Sequence, residues 1–160
     1  NGQLKSFCID IAQSSSQNAV VYDVRAVWEA PVPLYGPMGP QKEEYLRELW
    51  GRYFPTAAAD AADAEVFSAC AWEIIYEDAD PNVWDVTAGT GFRCELLSDS
   101  VKANAWLASL DGTGRKANLA ALTHDDYQDF LVETISPIPE PGTLLLIVAG
   151  APLLMRRRRR

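Results

Sequence analysis

The residues of this chain best suited to covalent or proton-transfer chemistry are few. They are Cys8, Cys70 and Cys94, a serine (Ser68) beside an aromatic-rich stretch, and a single histidine, His124. An odd number of cysteines in an oxidising compartment pairs two and leaves one thiol free. Cys70 with Cys94 is the preferred disulfide, and Cys8 with Cys94 is the next. Three free, buried thiols are the remaining reading. The spacing excludes a compact zinc site built on a Cys-x-x-Cys knuckle, and one histidine cannot make a histidine-rich metal site, so no metal or cofactor is expected. Ser68, His124 and an aspartate would assemble a hydrolase triad only on paper, because no Gly-x-Ser-x-Gly elbow surrounds the serine. Gly89-Thr90-Gly91 lacks the further glycine and the helix of a phosphate loop. Glu73 is the most interesting polar residue, but a catalytic carboxylate needs a partner and a pocket. No catalytic residue is assigned, and the chain reads as non-enzymatic.

These residues must be positioned by a small set of elements. Alternation predicts strands over Ser6–Ile11 and Ala19–Trp28. Pro31–Pro40, with four prolines, reads as an extended loop unable to supply a central strand. Gln41–Phe54 carries Tyr45, Leu46, Leu49, Trp50 and Tyr53 at helical spacing, with Glu43–Arg47 and Glu48–Arg52 pairs in the favourable i,i+4 orientation; Pro55 should stop it. Ala57–Tyr76 is an alanine-rich second helix lined by Phe67, Ala71, Ile74 and Ile75. Here Trp72 reads as a core anchor before a ligand platform. Phe92–Leu97 is a strand or an ordered loop. Ser100–Leu110 is a third helix with Ser100 as its cap. Leu119–Leu122 is ambiguous, and Asp129–Glu133 is a final strand. Strands at both ends flanking helices imply an α+β fold: an antiparallel sheet or sandwich-like core with two or three packed helices, plus a C-terminal apolar helix.

Charge bounds the partners. Outside the last five arginines, nine basic residues stand against twenty-two acidic ones, so the body carries about −13 although the whole chain is −8. Such a surface repels nucleic acid at long range. The denser acidic spots, Asp60, Asp63 and Glu65, then Glu77, Asp78 and Asp80, lack the spacing and central glycine of an EF-hand loop. They read as solvated surface.

The C-terminal residues combine Pro139-Glu140-Pro141, an apolar run from Gly142 to Met155 and five arginines, Arg156, Arg157, Arg158, Arg159 and Arg160. At about 1.5 Å per residue the run is roughly 21 Å long as a helix, short of a bilayer core of about 30 Å. Arginine stems can snorkel and the bilayer can thin, so a membrane-spanning helix with a basic stop is expected. The division is then residues 1–133 as the body, 134–141 as linker, and 142–160 as the membrane helix and arginine cluster. The combination resembles the PEP-CTERM sorting signal of Gram-negative bacteria. That resemblance implies export, transient anchoring in the inner membrane, processing by an exosortase-type enzyme, and release to the cell surface or an extracellular polysaccharide matrix. Pro139, Glu140 and Pro141 would be the sorting motif and the arginines the membrane stop. The first residues show no basic and apolar leader, so export would need one that was removed or lies outside this sequence.

The body resembles a second family. Phe7-Cys8-Ile9-Asp10, Leu46 to Tyr53, and Phe67-Ser68-x-x-x-Trp72-Glu73-Ile74-Ile75-Tyr76 are similar to motifs of the thioester, or TQxA-like, domains of bacterial surface proteins. So are Gly91-Phe92, Ala105-Trp106-Leu107 and Tyr127-Gln128-Asp129-Phe130. The resemblance implies a cysteine at Cys8 that joins a glutamine in the second helix and captures a nucleophile on a surface ligand. The glutamine position falls on Ser68, which has no carboxamide. Cys8 and Ser68 are thus the degenerate pair of a body that has lost its bond. Gln128 and Gln17 are substitute acyl donors outside the family helix, and the alternative readings are a covalent adhesin through Cys8 or a secreted hydrolase using Ser68. A small core residue is the commoner role of a cysteine.

Overall fold

The computed structural model describes residues 5–94 and 99–135. Four strands form one antiparallel sheet: β1 (Ser6–Cys8), β2 (Asp23–Arg25), β5 (Leu119–Thr123) and β6 (Phe130–Glu133), in the order β1-β6-β5-β2. β3 (Pro31–Val32) and β4 (Gly36–Pro37) make a separate small hairpin. Three helices, α1 (Pro40–Ala57), α2 (Ala61–Tyr76) and α3 (Ser100–Ala108), complete a mixed α+β fold in which α2 packs against both α1 and α3.

The ambiguous segment at Leu119 is a central strand. Its residues Leu119, Ala120, Ala121 and Thr123 are buried, and β2 and β6 flank it. The first strand is shorter than expected but pairs with the last in register Phe7↔Leu131 and Cys8↔Phe130, and Ile9 N–H continues the ladder to the Asp129 carbonyl at 2.9 Å. The expected strand Ala19–Trp28 contracts to three residues on the sheet edge. All three are exposed, and a 3₁₀ turn over Val27–Glu29 follows. The three strand residues point into no core, and burial begins only at Ala26 and Val27, past the strand.

α1 runs through Pro55 instead of stopping before it, and its last turn closes by Ala58 N–H donating to the Phe54 carbonyl at 2.8 Å. Proline costs a helix its own N–H and crowds the turn before it. Near a C-terminus, with Gly51 four residues back, that penalty is tolerated. Gly51 also lets the Arg115 carbonyl approach so closely that a Cβ would overlap it. α2 starts at Ala61, later than expected, because the Asp60 side chain caps it by accepting from Ala62 and Asp63 N–H. Likewise the cap of α3 is Asp99, which accepts from Lys102 N–H at 2.8 Å, and not Ser100.

Helices and sheet are joined by aromatic rings. Phe7 of β1 lies 4.4 Å from Phe67 of α2 and 5.9 Å from Trp50 of α1, and Trp50 stacks on Phe54 at 4.1 Å. Each such pair adds about 0.5–1.5 kcal/mol beyond its buried area.

The expected membrane helix is corrected. No helix among the described residues is long and apolar enough to cross a membrane. α1, the longest, carries Lys42, Glu43, Glu44, Arg47, Glu48 and Arg52 along its length. The run 142–155 and the arginines 156–160 lie outside the described residues, as does the sorting motif 139–141. The membrane as partner and inner-membrane anchoring have no basis in the described fold. The sorting enzyme and polysaccharide, expected as partners through that tail, find no support in the described fold either.

Candidate functional site

The Cys8 segment is held from two directions. α2 supplies Trp72, whose indole Nε1 donates to the Cys8 carbonyl at 3.1 Å, and Tyr76, whose hydroxyl donates to the Ile9 carbonyl at 3.3 Å and accepts from Ile11 N–H at 3.2 Å. Trp72 and Tyr76 are four residues apart, so one face of the helix bolts Cys8, Ile9 and Ile11 of the chain leaving β1. The turn before β6 supplies Gln128, whose Nε2 donates to the Asp10 carbonyl at 2.8 Å. The Cys8 Sγ donates to that same carbonyl at 3.1 Å. Cys8 and Gln128 therefore converge on one oxygen.

Burial pushes the Cys8 thiol above the ordinary range, and the nearby Asp10 carboxylate adds to this against the lowering hydrogen bonds. The thiolate is the nucleophilic form, so this cysteine is held in its less reactive state. Burial likewise raises the Tyr76 phenol. Ser68 lies one turn before Trp72 on α2, and its hydroxyl donates to the Ala64 carbonyl at 2.8 Å. That back-bond is a common habit of helical serine. It leaves Ser68 as a helix residue with no bond to Cys8.

His124 sits elsewhere. Its Nδ1 accepts from Asp126 N–H at 3.0 Å and its ring packs against Tyr22 and Tyr127. Ser68 and His124 bond different partners, and no hydrogen bond joins them among the described residues. His124 instead lines a cavity of about 250 Å³ together with Asp10, Gln13, Asp125 and Asp129. Asp10 and Asp129 are buried, and the Asp129 carboxyl is raised first by burial, against the His124 N–H it accepts at 2.8 Å. Among the described residues, no three acidic, histidine or cysteine side chains are arranged to hold a metal ion.

All three cysteines are free thiols, so the expected Cys70–Cys94 disulfide is not formed. Cys70 is fully buried between α2 and α3, with Sγ donating to the Ala103 carbonyl at 3.4 Å. Burial pushes its thiol far above the ordinary range. Cys94 lies on the loop before α3, where its N–H donates to the Val86 carbonyl at 2.8 Å.

Two buried carboxylates organise the loops around this frame. Glu48, fully buried, accepts from Arg52 at 2.6 Å and from Gly112 and Gly114 N–H at 2.7 and 3.0 Å. The i,i+4 spacing revealed its pairing with Arg52 but not its burial, which depends on the 112–114 turn folding over it. Glu73, also fully buried, accepts from Asp85 N–H at 2.8 Å. It acts as a backbone anchor. No family model, no curated protein and no solved structure matches this chain.

Proposed function

We propose that the chain is a non-enzymatic, exported and C-terminally processed surface or matrix protein, with a thioester-domain-like body that lacks the bond-forming pair. The observation that carries this reading is the state of the two degenerate positions. Ser68 has no carboxamide and its hydroxyl is engaged by the Ala64 carbonyl, while Cys8 is a half-buried thiol bonded to a backbone oxygen. A nucleophile without an acyl partner forms no thioester, and a thiol raised by burial attacks slowly. Export and processing rest on the order of Pro139-Glu140-Pro141, the apolar run and the arginines. The intact mass of protein secreted by its native host tests both parts. The expected mass shows removal of the C-terminal residues and no deficit of one ammonia in the body. Replacing Pro139, Glu140 and Pro141 by alanine without altering the released product would defeat the processing part.

A second reading, a thioester between Cys8 and Gln128, draws on their convergence on the Asp10 carbonyl. The Cys8 sulfur would add to the Gln128 carboxamide carbon, its proton leaving with the amide nitrogen as ammonia. Peptide mapping separates the two readings: a Cys8–Gln128 cross-link, lost on treatment with methylamine, favours the second.

A further inference from the structure

The last turn of α2 and its C-cap carry two carboxylates, Glu73 and Glu77, that hold the following segment by its backbone. Glu77 accepts from Gly91 N–H and from Phe92 N–H at 2.9 Å through one oxygen, and from the Thr90 hydroxyl at 3.3 Å through the other. Glu73 accepts from Asp85 N–H through one oxygen only. Its second oxygen, Oε2, is buried without a hydrogen-bond partner among the described residues. An ionised carboxylate wants its lone pairs satisfied, and a buried one left bare is costly. A neutral carboxyl group keeps the Asp85 bond at far smaller desolvation cost. The segment so held brings Phe92 to 5.8 Å from the Trp72 ring, over the residue that grips Cys8.

We infer that Glu73 makes the segment from Glu77 to Phe92 a pH-sensitive cover over Trp72, closed while the Glu73 carboxyl is neutral and loosened when it ionises.

The charged groups around Glu73 support this assignment. On α2 and its C-cap they are the Cys70 thiol and Glu77, and on the covering segment Asp85, and the charges acting on Glu73 from these are of like sign. α3 contributes neutral Asn104, which donates to Asp85 at 2.8 Å. From α1, Lys42 donates to the Ile75 carbonyl at 2.6 Å and its charge acts on Asp78 and Glu77. Burial is the main force on the Glu73 carboxyl and raises it to about 7; the Asp85 N–H opposes this, and the charges of Glu77 and Asp85 add to it. A group raised in the closed state favours closure at low pH. That advantage is complete below about 4.5, the ordinary value, and is lost as pH climbs to about 7.

Amide hydrogen exchange of the full chain, read on peptides within residues 77–93 and corrected for intrinsic rates, tests the inference. Protection of these amides is expected to fall by about tenfold per pH unit between about pH 5 and pH 7 and to level off above. In Glu73→Gln, a permanently neutral side chain, the fall should be absent. Equal slopes in the two proteins would overturn the inference, as would flat protection in the wild type. Should Glu73→Gln fail to fold, the carboxyl carbon of Glu73 can be titrated by NMR in the wild type. Its midpoint must coincide with that of the Asp85 and Phe92 amide shifts, and separate midpoints would refute the coupling.

Discussion

Trp72 Nε1 donates to the Cys8 carbonyl at 3.1 Å, tying the middle of α2 to the end of β1 across sixty-four residues of sequence. The bond places Cys8 at the junction of helix and sheet, where the thiol is half-buried and turned toward the Asp10 carbonyl. Trp72→Phe keeps most of the packing and removes the donor. It should destabilise the protein by about 1 kcal/mol, the usual net worth of one hydrogen bond, measured by urea unfolding. A Phe variant as stable as the wild type would show that the indole N–H contributes nothing at this junction.

Glu48 holds the 112–114 turn against α1 through two backbone donors and Arg52. Glu48→Ala strands the N–H groups of Gly112 and Gly114 and the guanidinium at once, so a loss of about 3 kcal/mol is expected. Limited proteolysis should find new cleavage near Gly112. Stability within experimental error of the wild type would mean that water satisfies these groups as well as the carboxylate does.

The start of α3 discriminates between neighbouring residues. Asp99 makes the capping bond to Lys102 N–H, so Asp99→Ala should cost about 1 kcal/mol while Ser100→Ala costs little. Thermal unfolding of the pair checks this, and the reverse order would return the cap to Ser100.

Cysteine accessibility follows from burial. Cys70 is fully buried with its thiol far above the ordinary range, whereas Cys8 and Cys94 are partly exposed. Native alkylation should label Cys8 and Cys94 first and reach Cys70 only on unfolding. Non-reducing alkylation of the unfolded chain should then modify all three thiols; a chain that takes up a single label would contain a disulfide.

Asp129 supplies a second pH dependence, remote from Glu73. Its carboxyl is raised by burial, so its contribution to stability is greatest at low pH and declines as pH rises through the native value. Asp129→Asn keeps an oxygen for the His124 N–H and removes the charge. Its stability relative to the wild type should therefore improve with rising pH through the mildly acidic range, followed by urea titrations at several pH values. A constant difference would sink this account.

Much of the fold was written in local pattern. The apolar spacing of α1 and α2 and the alternation at both ends of the body lead to helices between paired strands, because periodicity records which face meets a core. The same logic failed where neighbours in space decided. Leu119–Thr123 is too short and too uniformly apolar for its period to be read, and only its place between β2 and β6 makes it a strand. Ala19–Trp28 alternates well but lies on an uncovered edge. At the site, the sequence singled out Cys8, Ser68, Trp72 and Glu73, and by itself it determined that Ser68 brings no carboxamide, a matter of composition that no fold can change. The tertiary structure decided the rest: Gln128 reaches the oxygen that Cys8 uses, His124 and Ser68 bond different partners, and Cys70 and Cys94 carry free thiols. The same holds for the burial of Glu48 and Glu73 under distant turns. Those are relations across sixty or more residues in several cases, and hydrogen bonds and burial at that range leave no period in the chain for a reader to find.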